Sequence, residues 1–307
     1  MNKKTDVIDA HMHLVQYVAG IGAEGELRWK GDGMAQYADG RIFRLLPEQF
    51  ADGKVTPEDA LAAMDRCGVR KAVLLQGHYM GFQNLYSLDA QEKYPERFRA
   101  AVSYDPWSRD KIRIRDYLIE ERGAGIVKFE LSTGSGLMCN HSTFAIDGEA
   151  MREEFDYCDE HGAVCVLDIG KCGAESWQPE AVRRVCLAHP EMKFVICHLL
   201  APSKATADTA LEKLRHLTLP NVWFDLAALP HNMAPDRYPY PAAAALVRRA
   251  ADIVGADRIL FGSDFPSTLN TDSYEHLIDF IRESEEFSEE EREAILCGNA
   301  ETVYFSS

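Results

Sequence analysis

The chain has 307 residues, 46% of them hydrophobic, with 33 basic against 49 acidic side chains and a net charge of −16. That acidic balance argues against nucleic acid and anionic membrane surfaces as partners, because both bind basic faces. No apolar stretch approaches the roughly 18 residues of a membrane span. The start "MNKKTDVIDA" has no apolar leader core, and the eight cysteines are scattered without a CxxC, so a cytoplasmic protein with free thiols is expected.

In chain order, "VIDAH" (7–11) reads as a first strand. Residues 14–55 lack clear periodicity, carry Trp29, Arg41 and Arg44, and are expected as one long loop over the mouth of the fold. "TPEDALAAMDRCG" is a helix, with Thr56 as N-cap, Pro57 at its first position and Gly68 as its stop. Further strands are expected at 71–76, 98–104, 125–131, 163–169, 193–199, 222–227 and 258–264. Helical patterns cover 147–162, 178–190 and 241–255, and a closing helix covers 288–305. The strand runs are rich in β-branched residues and apolar throughout, as strands covered on both faces are. Eight of them alternating with helices predict one (β/α)8 TIM barrel spanning 1–307, an α/β fold.

Polar residues interrupt these runs at their C-terminal ends: His11, His13, Glu130, Asp168, His198, Asp225 and Asp264. In a barrel those ends converge on the face that carries active sites. The side-chain period of two points His11 and His13 the same way and puts Lys128 on the face of Glu130. A charge facing the barrel centre is costly unless paired or bound to metal. A divalent cation held by imidazole nitrogen and carboxylate oxygen resolves the cost, and either acidifies a water or polarises a substrate oxygen. For Asp264 the competing reading is a helix cap.

"DAHMH", "ICHLLAP", "ILFGSDFP" and "ILCGNAETVY", in that order from residue 7 to about 305, resemble the amidohydrolase superfamily. The resemblance is to its amidohydrolase-related branch, which includes metal-dependent decarboxylases of aromatic and muconate-type acids, lactone hydrolases and hydratases. It implies that His11 and His13 are metal ligands, and that His198 is a ligand or polarises the substrate. It implies that Asp264 is both ligand and proton shuttle. At the fifth strand the family has a histidine, in a sequence like "HTG", where this chain has "LDIG" and Asp168. As an oxygen ligand Asp168 would harden the site, from zinc toward manganese or magnesium; the other reading is a site without metal.

Loops at the same strand ends supply His78, Tyr79, His141 and His231 as candidates for substrate contact, together with Glu130. Arg41 and Arg44 are candidates to hold a substrate carboxylate. Lys128 and Glu130 are left between a catalytic role and a structural ion pair. The leading functional reading is hydrolysis of a small, anionic lactone, amide or activated carbonyl by water on one divalent metal. The second is non-oxidative decarboxylation on the same site, and the third a metal-free lactonase or a binding protein without catalysis. The resemblance also admits a homo-oligomer.

Overall fold

β1 (Val7–Met12) is buried along its whole length in the computed structural model, which describes residues 6–306. Four short strands follow: β2 (Ala19–Gly22), β3 (Gly25–Gly31), β4 (Met34–Tyr37) and β5 (Ile42–Arg44). The remaining strands are β6 (Val69–Leu74), β7 (Phe98–Ala100), β8 (Ile126–Glu130), β9 (Val164–Asp168), β10 (Phe194–Ile196), β11 (Val222–Asp225) and β12 (Ile259–Leu260). All eight strands expected from the apolar runs are present, several of them shorter than the runs themselves.

These eight form two parallel sheets, β1-β6-β7 and β8-β9-β10-β11-β12. Backbone hydrogen bonds cross both gaps between them. On one side the Val102 N–H donates to Ile126 and the Lys128 N–H donates back to Val102, at 2.9 and 2.8 Å. On the other, Ala10 N–H donates to Phe261, Asp264 N–H to His11, and His13 N–H to Phe265, at 2.8–2.9 Å. The strand order is that of a (β/α)8 barrel.

Inside the ring, Ile8, Ala10, Val73, Leu75, Val166, Val195 and Leu260 make an apolar plug. Each large aliphatic group buried there contributes about 1.5–3 kcal/mol. The larger core lies between strands and surrounding helices. The first helix (Pro57–Cys67) starts at a Thr56–Asp59 capping box and stops at Gly68, whose φ is +75°; the cap is worth about 1 kcal/mol. The chain end is helical from Glu289 to Glu293 and then widens into π-helical turns, Ala294–Gly298 and Glu301–Phe305. There Ala300, Val303 and Tyr304 close the bottom of the plug.

The segment 14–55 departs from the expected loop. β2 to β5 pair as a four-stranded antiparallel sheet, a roof tied to the barrel by backbone bonds. Ala19 and Ile21 donate to the carbonyls of Met80 and His78, at 3.2 and 3.0 Å, and Ala23 donates to Gly134 at 2.8 Å. Its alternation is real but hydrophobically silent, because the buried positions of β2 are Gly20 and Gly22. A Cβ on Gly20 would overlap the Tyr79 carbonyl, so only glycine lets the roof approach this closely.

Candidate active site

The first two histidines reach the cavity through a register shift. Ile8 and Ala10 belong to the interior plug and Met12 to the outer core, and the pairing of β1 with β6 shifts between Asp9 and Met12. That bulge re-aims the strand, so His11 and His13 both line the cavity at its end.

His11 is buried, and its Nδ1 lies 3.0 Å from Asp225 Oδ2. Burial pushes its pKa down to about 4 against the pull of Asp225. The ring is therefore neutral, donates through Nδ1, and presents the Nε2 lone pair to the cavity. His13 Nδ1 lies 2.8 Å from the Leu75 carbonyl, which can only accept, so Nδ1 carries the proton there too. Its Nε2 lies 2.9 Å from Asp264 Oδ1, and His11 Nε2 lies 3.8 Å from the same oxygen. Burial opposes charge on Asp264, but its contact with His13 and the charge of His198 outweigh it and hold the carboxyl below the usual range.

Two imidazole nitrogens and a carboxylate oxygen thus converge, with ligand atoms within 4.8 Å of one another. Bare acceptors at this spacing repel unless a proton or a metal cation sits among them. Each imidazole has its far nitrogen fixed by an acceptor behind it, as metal-binding histidines do. The donor set fits a divalent ion.

β10 ends in a left-handed turn, with positive φ at His198, Leu199, Leu200 and Ala201. Asp225 Oδ1 accepts the backbone N–H groups of His198 and Ala227, at 2.8 and 3.0 Å. One carboxylate thereby steadies both the His11 ring and the turn. His198 Nδ1 lies 2.8 Å from the Ala227 carbonyl, and its Nε2 lies 3.3 Å from Asp168 Oδ2. Burial works against its charge, but Asp168, Asp225 and Asp264 lift it to about 10. At neutral pH it is an imidazolium with no lone pair, which fits a polarising group and not a ligand.

Asp168 belongs to this pair. Its other oxygen caps Gly170 N–H at 2.9 Å, and it stands outside the converging donors of His11, His13 and Asp264. β9 aims Asp168 at His198, whose N–H faces its carboxylate.

The cavity has two lobes, of 240 and 400 Å³, that share Glu130, Ser135, Asp168, His198 and Asp264. The first runs from His11, His13 and Lys128 beneath Tyr79 and Met80; the second opens past Lys171 and Asn232 to His231 at the rim. Burial raises the Glu130 pKa, and Ser135 donates to its carboxylate at 2.7 Å. Lys128 is buried, yet it is held protonated: burial opposes its charge, while Cys197, Glu130, Asp168 and Asp264 raise it.

Four expected contacts are not among the residues that line the lobes. Arg44 turns its guanidinium back to the carbonyls of Asp32 and Leu46, at 3.2 and 3.5 Å, because edge strand β5 offers it only those acceptors. Arg41 likewise pairs outside with Glu24, at 2.8 Å. His78 is sealed behind the wall, with Asn140 2.7 Å from its Nδ1 and Phe82 against its ring. His141 is taken by Asp105 at 2.8 Å and by Trp107.

Sequence reasoning missed the roles of Asp9, Asp225 and Ser135. Asp9, inside "DAHMH", is a latch: it accepts from Ser263 Oγ at 2.5 Å and Tyr274 Oη at 2.7 Å, and burial raises its pKa to about 6. Asp225 had a signal in its strand-end position; Ser135 sits in a loop without periodic signature.

Comparison with known proteins places these features in context. The amidohydrolase family model matches residues 8–305. A curated relative, 4-sulfomuconolactone hydrolase of Rhizobium radiobacter, is 26% identical over 217 residues, which are 68% of this chain. The chain spans 65% of that relative's length. Among solved structures, a probable 2-pyrone-4,6-dicarboxylic acid hydrolase from Acinetobacter baumannii with citric acid bound is similar at TM-score 0.68. It is 16% identical, with 98% of this chain and 99% of that one covered. An amidohydrolase from Burkholderia multivorans with bound zinc has TM-score 0.71 and 19% identity, over 98% and 99% of the two chains.

Proposed function

The chain belongs to the amidohydrolase family, and on that premise we propose that it hydrolyses a small lactone bearing an acidic group. One observation carries the reading: ligand atoms of His11, His13 and Asp264 converge in one cavity with the His198 imidazolium. The name of the curated relative supports the lactone. His11, His13 and Asp264 would hold one divalent ion, zinc by the nitrogen-rich donor set. When bound, that ion supplies Lewis acidity and a lowered water pKa.

The chain's own groups do the rest. Asp264, held ionised, accepts the proton of the attacking water at its carboxylate. His198 faces the ester carbonyl as a cation and stabilises the oxygen that becomes negative. Asp168 keeps that imidazolium charged and turned inward. Asp225 keeps the His11 proton on Nδ1. Among the described residues no helix is long and apolar enough to cross a membrane, and all eight cysteines are free, five of them buried, which supports the cytoplasmic assignment.

Proton release on mixing with carboxylated γ- and δ-lactones, followed at constant pH beside metal analysis, tests the reading. The expected result is acid release, with no carbon dioxide, by protein holding about one metal ion per chain. Carbon dioxide release from aromatic or muconate-type acids would instead assign the decarboxylase alternative. Stoichiometric metal lost in His11→Ala separates either enzyme from a binding protein without catalysis.

A further inference from the structure

Lys128 is paired in register with Val166, whose side chain lies in the interior plug with Leu75 and Cys197. It is 3% exposed, yet it lines the first lobe. Among the described residues its ammonium has neither a hydrogen-bond acceptor nor an ion-pair partner. The carboxylates around it are engaged elsewhere: Glu130 by Ser135, Asp168 by His198 and Gly170, and Asp264 by His13. An ammonium with three donors and no acceptor is costly in an apolar layer, and folding alone gives no return for it. The volume of the lobe is what it faces. The arginines expected to hold an acidic substrate are outside, and Lys171 is exposed at the rim of the other lobe.

We propose that Lys128 Nζ is the seat of the substrate's anionic group, taking a carboxylate or sulfonate oxygen at the floor of the first lobe. The seat shares its lobe with His11 and His13, so an anchored substrate holds its ester beside the converging donors. Lys128 then determines specificity, binding the ground state and the transition state alike. The substrate class follows from the lactone reading; the anion seat itself stands on the geometry.

Acetate and methanesulfonate, each with one methyl group, serve as probes of the two anion types by saturation-transfer proton NMR on the purified metal-containing protein. Wild type is expected to bind at least one of them, Lys128→Gln and Lys128→Met to weaken that binding about 10- to 100-fold, and Lys171→Gln to keep it. The proposal is overturned by a wild type that binds neither, by binding that survives both Lys128 variants, or by binding lost with Lys171. A crystal of the wild type soaked with methanesulfonate gives a reading independent of variant folding. A sulfonate oxygen on Lys128 Nζ supports the seat, and an ion only at the surface overturns it. With an anionic lactone, Lys128→Gln should raise KM and leave kcat, the pattern of lost uniform binding. A fall in kcat at constant KM would overturn it, as would a carbon dioxide adduct on the Lys128 amine. Wild type that hydrolyses no lactone would sink the proposed function, while the probe arm would still decide the seat.

Discussion

The seam between β1 and β12 lines the cavity, while the roof of β2 to β5 is tied to the Tyr79–Met80 loop that covers it, and the two are built from opposite materials. At the seam and the strand ends beside it, each functional ring is held at one nitrogen: the Asp225 carboxylate holds His11, the Leu75 carbonyl holds His13, and the Asp168 carboxylate holds His198. In the roof the ties to the barrel are backbone to backbone, and the buried positions of β2 are glycines. Chemistry at the seam therefore depends on residue identity. The shape of the first lobe depends on how closely a backbone approaches, which few side chains record.

Changes at the seam should outweigh changes in the roof. Asp264→Ala removes both a ligand oxygen and the proposed base, and lactone hydrolysis should fall about 10²- to 10⁴-fold, with metal content falling too. Asp225→Asn leaves a wrong donor against His11 Nδ1 and the His198 N–H; metal affinity or activity should drop about 10- to 100-fold. Equal loss from a roof variant with intact metal would erase the distinction drawn here.

The roof is tested next. Gly20→Val forces a branched side chain into the Tyr79 carbonyl and should cost about 1–3 kcal/mol in thermal unfolding. Metal content should hold, and KM should change more than kcat.

A pH series sharpens the seam itself. The His198 pKa is raised from 6.5 to about 10, so its contribution is complete below pH 6.5 and lost as pH rises toward 10. Asp168 is depressed, so its share is present above pH 3.8 and lost below that. The destabilisation caused by Asp168→Asn, read as a shift in Tm, should be greatest between pH 3.8 and 6.5 and should shrink toward pH 10. A shift that is flat from pH 6.5 to 10 would show that the pair is not ionic. The smallest effect belongs to Arg44→Ala, within about 0.5 kcal/mol and without change in KM.

The difference between the two regions also explains what could be read from the chain. The eight barrel strands were legible because burial on both faces makes unbroken apolar runs. His11, His13, His198 and Asp264 were legible because polar residues at the ends of such runs require a reason. Partnership was harder. Asp168 has the placement of a ligand, and only the three-dimensional position of His198 shows what it serves. Asp9 and Ser263 sit in the most recognisable motifs, yet they bond to each other. The roof escaped because Gly20, Gly22 and Ala35 carry no hydrophobic period even where they are buried. Arg44 misled because a loop position says nothing about where a long side chain finds acceptors.

The joint between β1 and β12 has a further consequence, for biosynthesis. His13 and Asp264 meet across 251 positions of sequence, and the bonds that bring them together are those that close the ring. A nascent chain holding only the N-terminal half has the histidines without the carboxylate, and so has little to hold an ion. Contacts of such long range form late and slowly. Competence for the proposed ion thus arrives only with β12, so occupancy would mark molecules in which the ring has closed.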